Sequence, residues 1–256
     1  MKKCIYILLL FATTNIVSVK AQKRVSLKPD FKNNISWWQS IKAVTSWDNK
    51  KNIQKQVFDL SMQATITEFD NEKPIKIIYD NVNGPQTVVK VKNGAEKTTD
   101  SLMNRYGKIT ADIDKSNVLF NANDIGALSN DILKSFPPGS FFGFIPPGKK
   151  KIKVGASWSS GSVIPIGPRV FSKKKYQFYE IKGVFKLEKI ENNIAYVLWE
   201  GEAKVTTKSN ENSDASWQRM VEFDFKKGRF ISNKGKLQIK TPNWDIIYKV
   251  DIVAGY

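Results

Sequence analysis

The chain has 256 residues with one cysteine and no histidine, and 41 basic side chains against 24 acidic ones give it a net charge of +17. Without histidine it cannot contain a Ser-His-Asp or Cys-His catalytic site, a histidine general base, or a zinc site of the usual histidine and cysteine ligands. No glycine-rich phosphate motif leads from a strand into a helix, which argues against nucleotide-dependent chemistry, and we expect no cofactor and no metal.

The N-terminus has the pattern of a secretory signal. Met1-Lys2-Lys3 precedes an apolar run over residues 4–12 and a more polar stretch that ends in Val19-Lys20-Ala21. The run is too short for a transmembrane anchor, which needs roughly 20 residues, so we predict cleavage after Ala21. A lipoprotein carries its cysteine at the end of the apolar run, whereas Cys4 lies at its beginning. We therefore expect no lipid anchor, and a mature chain without thiols or disulfides.

The predicted organisation is a signal peptide (1–21), an N-terminal lead-in (22–48) and a β-rich domain (49–256). Loss of Lys2, Lys3 and Lys20 with the signal lowers the net charge from +17 to +14. This charge favours lipid, lipopolysaccharide or anionic glycan as partner, although dispersed lysines that keep an exported protein soluble explain it equally well. We expect the periplasm, the outer envelope or the medium as location, and no nucleic-acid partner, because no binding motif is present.

The first strands follow a two-residue period. Trp37-Trp38 closes the lead-in, either by pinning it to the domain or as an exposed aromatic platform. Apolar residues then alternate with polar ones from residue 57 to 67, which predicts a half-buried strand; they are Phe58, Leu60, Met62, Ala64 and Ile66. A second alternation over residues 75–79 leads to a predicted turn at Asn83-Gly84-Pro85. A further strand ends at Asn93-Gly94, which completes a β-meander.

Over residues 123–136 the two-residue period of the strands gives way to a helical spacing. Their apolar side chains have the spacing of one helix face, with Asn123 or Asp124 as the cap. A loop rich in aromatics and then lysines follows, and it supplies the candidate ligand-binding residues: Phe141, Phe142, Phe144, Lys149, Lys150, Lys151 and Lys153. The aromatics would meet a lipid interface or ligand, and the lysines its anionic groups. The alternative is a packed lid with solvated lysines.

The C-terminal half returns to the two-residue period. Strands are predicted over residues 176–187, 194–205, 217–225, 230–239 and 245–253, with turns at 191–193 and 226–228, and we expect sequence neighbours to pair antiparallel. The predicted fold is mostly β, with antiparallel meanders (49–122 and 150–256) that form a curved sheet, sandwich or half-barrel. A covering helix and the aromatic loop (123–149) join them. A partly covered sheet leaves a cavity for an apolar ligand, unless side chains fill it.

Carboxylate pairs offer the remaining route to catalysis. Glu200 with Glu202, and Glu222 with Asp224, lie two residues apart in predicted strands, so each pair shares a face at about 6.5 to 7 Å. That separation suits a glycosidase or an oxygen-ligated cation. A solvated strand face explains the pairs better, because apolar residues occupy the opposite face.

Two segments resemble a known family. Residues 144–158 (FIPPGKKKIKVGASW) and 223–232 (FDFKKGRFIS) resemble exported β-rich proteins of Bacteroidetes-type bacteria, a family of unknown function. The resemblance extends over residues 55–253 and implies export and a β-rich fold, but no catalytic residue. The leading hypothesis is an exported, non-enzymatic binding protein for an amphiphilic or anionic envelope component. The alternatives are a carboxylate-dependent hydrolase acting on glycan and a structural module that docks an acidic partner protein.

Overall fold

The computed structural model describes residues 23–33, 35–49, 51–71, 73–104, 109–113, 119–124, 150–166, 177–206, 212–242 and 245–256. Within these ranges the regular structure consists of strands, with no helix. The strands are β1 (Arg24–Val25), β2 (Ser36–Asp48), β3 (Asn52–Asp70), β4 (Lys73–Lys92), β5 (Ala95–Asn104), β6 (Ile109–Ile113), β7 (Leu119–Asp124), β8 (Ile152–Lys153), β9 (Ser157–Ile166), β10 (Gln177–Glu191), β11 (Ile194–Thr206), β12 (Asn212–Asp224), β13 (Arg229–Lys240) and β14 (Asp245–Gly255).

One antiparallel sheet contains all strands except β1 and β8. Its order is β7-β6-β4-β3-β2-β14-β13-β12-β11-β10-β9, with β5 paired to β4, and it does not close on itself. β2 and β14 pair in the middle, from Asp48 opposite Asp245 to Trp38 opposite Gly255. This pairing unites the two predicted meanders in a single sheet. The prediction of a mostly β, antiparallel fold is confirmed.

One face of the sheet carries the apolar side chains, and we call it the buried face. The predicted alternation in β3 is confirmed, since every one of its five apolar positions is at most 3% exposed. The same period places the following core residues on this face: Ile41, Ala43, Val197, Val221, Phe223, Leu237, Ile239, Val250 and Ile252. Because each buried large aliphatic or aromatic side chain contributes about 1.5 to 3 kcal/mol, this face is the main source of stability.

The structure differs from the sequence prediction in the lead-in. Residues 36–48, which we assigned to the lead-in, form β2 near the centre of the sheet. Trp37 is buried while Trp38 is half exposed, because neighbouring strand residues face opposite sides. Polar Gln39 and Thr45 occupy buried positions in β2 and interrupt its apolar rhythm, which hid the strand.

The predicted turn at Asn83-Gly84-Pro85 is wrong. β4 continues through it, and an irregularity in its pairing with β3 occurs there instead. Gly84 has φ +136°, and a Cβ atom would collide with the Asp59 carbonyl, so glycine is required by this close approach and not by a turn. The other predicted turns are confirmed: Asn93-Gly94 and Asn192-Asn193 have positive φ angles, and Gly228 has φ +63°.

The predicted helix over residues 123–136 does not begin at its predicted cap. Asn123 and Asp124 instead end strand β7, and the remaining residues of the predicted helix lie outside the described ranges.

Candidate binding surfaces

A two-stranded ribbon carries part of the predicted basic site. In it β1 pairs antiparallel with β8, with Arg24 opposite Lys153 and Val25 opposite Ile152. Val25 turns into the core and is 3% exposed, whereas Arg24 and Lys153 are exposed, as the strand period requires. Lys151, directly before β8, is exposed as well. The ribbon therefore presents three cations on a short scaffold anchored by its apolar side.

A neighbouring turn extends this basic surface. The Lys23 Nζ atom lies 5.0 Å from the centre of the Phe225 ring, in a cation–π contact. Phe225 is followed by exposed Lys226 and Lys227 in the turn between β12 and β13. We call the resulting set of seven exposed cations the basic end: Lys23, Arg24, Lys150, Lys151, Lys153, Lys226 and Lys227. Among the described residues, no acid forms an ion pair with the three ribbon cations.

Two carboxylates beside the basic end are engaged in local backbone structure. The Asp224 Oδ1 atom accepts the backbone N–H groups of Lys226 and Lys227, both at 3.0 Å. Asp30 accepts the side-chain amide of Asn33 at 2.6 Å and its backbone N–H at 3.2 Å. These hydrogen bonds, the side-chain one above all, lower the pKa of the Asp30 carboxyl. Both carboxylates thus fix turns.

Backbone hydrogen bonds and apolar contacts attach the basic end to the sheet. The Asp30 N–H donates to the Gly228 carbonyl at 2.7 Å, which ties the N-terminal segment to the turn that carries Lys226 and Lys227. The Gly155 N–H donates to the Leu187 carbonyl at 2.8 Å, which ties the region after β8 to β10. Leu27, three residues before Asp30 in the N-terminal segment, is fully buried. The cations therefore occupy defined positions.

The structure places only part of the predicted ligand-binding set. Lys150, Lys151 and Lys153 are exposed in the basic end. Residues that lie outside the described ranges are Phe141, Phe142, Phe144 and Lys149. The sequence prediction missed the basic residues contributed by the N-terminal segment and by the β12–β13 turn. In the sequence, only their charge distinguishes these residues. Their proximity to Lys151 and Lys153 depends on the pairing of β1 with β8, which joins chain segments more than a hundred residues apart.

Aromatic rings line the buried face across four strands. Phe185 on β10 lies opposite Trp158 on β9 and Trp199 on β11, and its ring stacks on theirs with centroid distances of 5.5 and 5.4 Å. Trp217 on β12 continues the series, 5.7 Å from Trp199. Such pairs contribute about 0.5 to 1.5 kcal/mol beyond their buried area.

A cation is buried beside these rings. Arg219 is 2% exposed, lies opposite Trp199 and holds its guanidinium carbon 5.7 Å from the centre of that ring. Gly235 lies opposite Arg219 on the other side, and a Cβ atom there would collide with the arginine. Burial lowers the pKa of Arg219 to about 10, so the side chain still carries its charge at neutral pH.

The first carboxylate pair lies on the exposed side of the sheet. Glu200 and Glu202 are both exposed, opposite Gln218 and Ser216 respectively. With residues of β13 they line an open groove of about 320 Å³, whose lining is Glu200, Gly201, Glu202, Ser216, Trp217, Gln218, Lys236 and Gln238.

The second carboxylate pair is remote from the first. Glu222 lies opposite Tyr196, four residues from Glu200 along β11, which corresponds to roughly 13 Å. Asp224 is buried and holds the turn described above. The structure therefore does not bring the two predicted pairs together.

Within the described part of the chain, no cluster of three or more acidic or cysteine side chains is placed to hold a metal ion. In the same residues, no helix has the length and hydrophobicity needed to cross a membrane. No protein-family model matches the sequence, and no curated protein is significantly similar to it. The resemblance to exported β-rich proteins stays a prediction.

Proposed function

We propose that the chain is a non-enzymatic binding protein for an anionic amphiphile of a bacterial envelope, and that it engages charged head groups through the basic end. The observation that carries this proposal is the convergence of three separate chain segments on one surface of seven exposed cations. Each lysine or arginine near an anionic membrane surface contributes about 1 kcal/mol.

The arrangement of the ribbon favours the binding of an anion over the alternative that the lysines only keep the protein soluble. Arg24 and Lys153 are like charges at directly opposite positions, which destabilises a strand pair unless an anion offsets the repulsion. Lys236 and Lys249 are also opposite each other, on the exposed side of the main sheet. There, however, Lys236 donates to the Gln238 side chain at 3.0 Å, so the pair sits among polar partners of its own. The ribbon cations have no such partner among the described residues.

Several finer features belong to this proposal. We propose that residues 1–21 are a cleaved signal that directs the chain to the envelope, and that the sheet is curved as a half-barrel. A helix over residues 125–136 would cover part of the buried face, and the aromatic side chains of the following loop would meet the apolar part of the amphiphile. The alternative hydrolase has less support, because Asp224 of one carboxylate pair is committed to a turn, and Glu200 and Glu202 of the other pair are exposed in an open groove, as a solvated strand face requires.

Vesicle sedimentation tests the proposal. The mature protein is mixed with vesicles of phosphatidylcholine alone or with added phosphatidylglycerol, and the bound fraction is measured. We expect binding to the anionic vesicles only, and a loss of about tenfold in affinity for the double variant Lys151→Gln/Lys153→Gln. The matched control, Lys236→Gln/Lys249→Gln, removes the same charge from the exposed side of the main sheet and should change affinity by less than about twofold.

Two results would overturn the proposal. Equal loss in both double variants would show that only total charge matters, and equal binding to neutral vesicles would remove the role of the head group.

A further inference from the structure

The dipeptide Asn-Gly occurs twice in the sequence, at residues 83–84 and 93–94. The asparagine of such a dipeptide can lose ammonia, because the backbone nitrogen of the glycine, which has no side chain in the way, can attack the asparagine side-chain amide. The reaction requires rotation of the side chain and of the backbone until the glycine nitrogen faces the Cγ atom. The structure places the two copies in opposite settings, so their reactivities should differ.

Asn83 is held in place within the sheet. Its side-chain oxygen accepts a hydrogen bond from Ser61 Oγ at 2.8 Å, and its Nδ2 atom donates to the Asn81 carbonyl at 3.2 Å. Its backbone lies in β4, opposite Ser61 of β3 on one side and Asn104 of β5 on the other. Gly84 is in close contact with the β3 backbone, as described above. Rotation at Asn83 therefore requires several contacts to break.

Asn93 lies at the exposed tip of the β4–β5 hairpin. Asn93 and Gly94 connect Lys92 to Ala95, the last pair of the two strands, and both are exposed. Nothing lies within 4 Å of the position that a Cβ atom on Gly94 would take. The Asn93 N–H donates to the Lys51 carbonyl at 3.2 Å, but within the described part of the chain the Asn93 side chain makes no hydrogen bond. Loop tips are also where local opening costs least.

We propose that Asn93 is a site of spontaneous deamidation in the folded protein, and that Asn83 is protected from it. The Gly94 nitrogen attacks the Cγ atom of Asn93 and closes a succinimide ring. The bond between Cγ and Nδ2 breaks, and the amide group leaves as ammonia with the proton of the Gly94 N–H. Water then opens the ring at either carbonyl, which gives aspartate or isoaspartate. This inference goes beyond the proposed function and does not depend on it.

The products alter the hairpin in different ways. Aspartate adds a negative charge to the tip and leaves the backbone unchanged. Isoaspartate adds one atom to the backbone of a two-residue turn, and the register of a hairpin depends on the length and type of its turn. We therefore expect isoaspartate at residue 93 to weaken the pairing of Lys92 with Ala95.

Peptide mapping by mass spectrometry tests the inference. The full chain is incubated at mildly alkaline pH in water enriched in oxygen-18, so that the heavy oxygen enters a residue that passes through the succinimide, and it is digested afterwards in ordinary water. Trypsin separates the two copies, because Lys90 and Lys92 lie between them. Asn93 should take up the label at least about tenfold faster than Asn83, because two hydrogen bonds must break before Asn83 can react.

Two comparisons separate the effect of the fold from that of the sequence. In concentrated guanidinium chloride both copies lose their structural setting, and their rates should become similar. Ser61→Ala removes one hydrogen bond from Asn83 and should raise its rate in the folded protein, while the rate at Asn93 stays unchanged. Equal rates in the folded wild type, no label at Asn93 in the time that labels the unfolded chain, or a difference that persists after unfolding would overturn the inference.

Discussion

Trp217 packs directly against the backbone of Gly201, its opposite partner on the neighbouring strand. A Cβ atom on Gly201 would lie within 3.0 Å of three carbon atoms of the indole ring. The ring belongs to the aromatic series on the buried face, so its position depends on a residue without a side chain. A glycine in a strand interior lowers stability in general, and here the close approach explains its presence.

Gly201→Ala should therefore destabilise the fold by about 1 to 3 kcal/mol, because the added methyl group forces the Trp217 ring out of place. Urea unfolding at equilibrium measures this change. Gly255→Ala is the control, since its Cβ atom would approach nothing nearer than the Trp38 carbonyl at 3.9 Å. That variant should change the unfolding free energy by less than about 0.5 kcal/mol. Equal effects in both variants would show that the ring does not need the space.

Asp224→Ala should lower the unfolding free energy by about 1 to 2 kcal/mol, because two backbone N–H groups of the β12–β13 turn lose their acceptor. Asp224→Asn keeps an oxygen at the same position and should lose clearly less. The comparison uses thermal unfolding of the two variants side by side. If Asn is as harmful as Ala, the carboxylate charge rather than the turn hydrogen bonds holds this site.

Arg219→Met should change the pH dependence of stability. The lowered pKa of about 10, against an ordinary value of 12.5, means that the folded state loses the Arg219 proton before the unfolded state does. Between these values the unfolded state binds more protons, so this group makes stability rise with pH, by at most about 1.4 kcal/mol per pH unit. Below about pH 10 Arg219 is charged in both states, and the full free-energy cost of burying its charge lowers the stability.

The unfolding free energy of Arg219→Met minus that of the wild type should thus fall as the pH is raised from about 9 to about 11. Urea unfolding in a pH series gives this difference, and the other titrating groups cancel because both proteins contain them. A difference that stays constant over the series would show that burial of Arg219 costs nothing in charge.

Local patterns predicted most of the strands. The period in β3, β10, β11 and β14 was visible because the buried positions described there are nearly all apolar, and the Asn93-Gly94 and Asn192-Asn193 turns have the residues that positive φ angles favour. β2 was not predicted as a strand, because polar Gln39 and Thr45 lie among its buried residues. Its pairing with β14 is a contact between distant parts of the chain, which no local pattern encodes.

The candidate site was less predictable than the fold. The lysines at 150–153 were recognised from their charge, but Arg24 joins them only through the register of β1 with β8. The buried Arg219 was not recognised either, because Trp199, Trp217 and Arg219 follow the same alternation as ordinary core residues.

The salt dependence of vesicle binding tests the central claim most directly, because contact between the basic end and anionic head groups is electrostatic. Affinity of the mature protein for phosphatidylglycerol-containing vesicles should fall at least about tenfold between about 50 and about 500 mM sodium chloride, as the screening length shortens. Lys151→Gln/Lys153→Gln should show a shallower dependence than the wild type. An affinity that does not change with salt, or a double variant with the wild-type slope, would contradict the account.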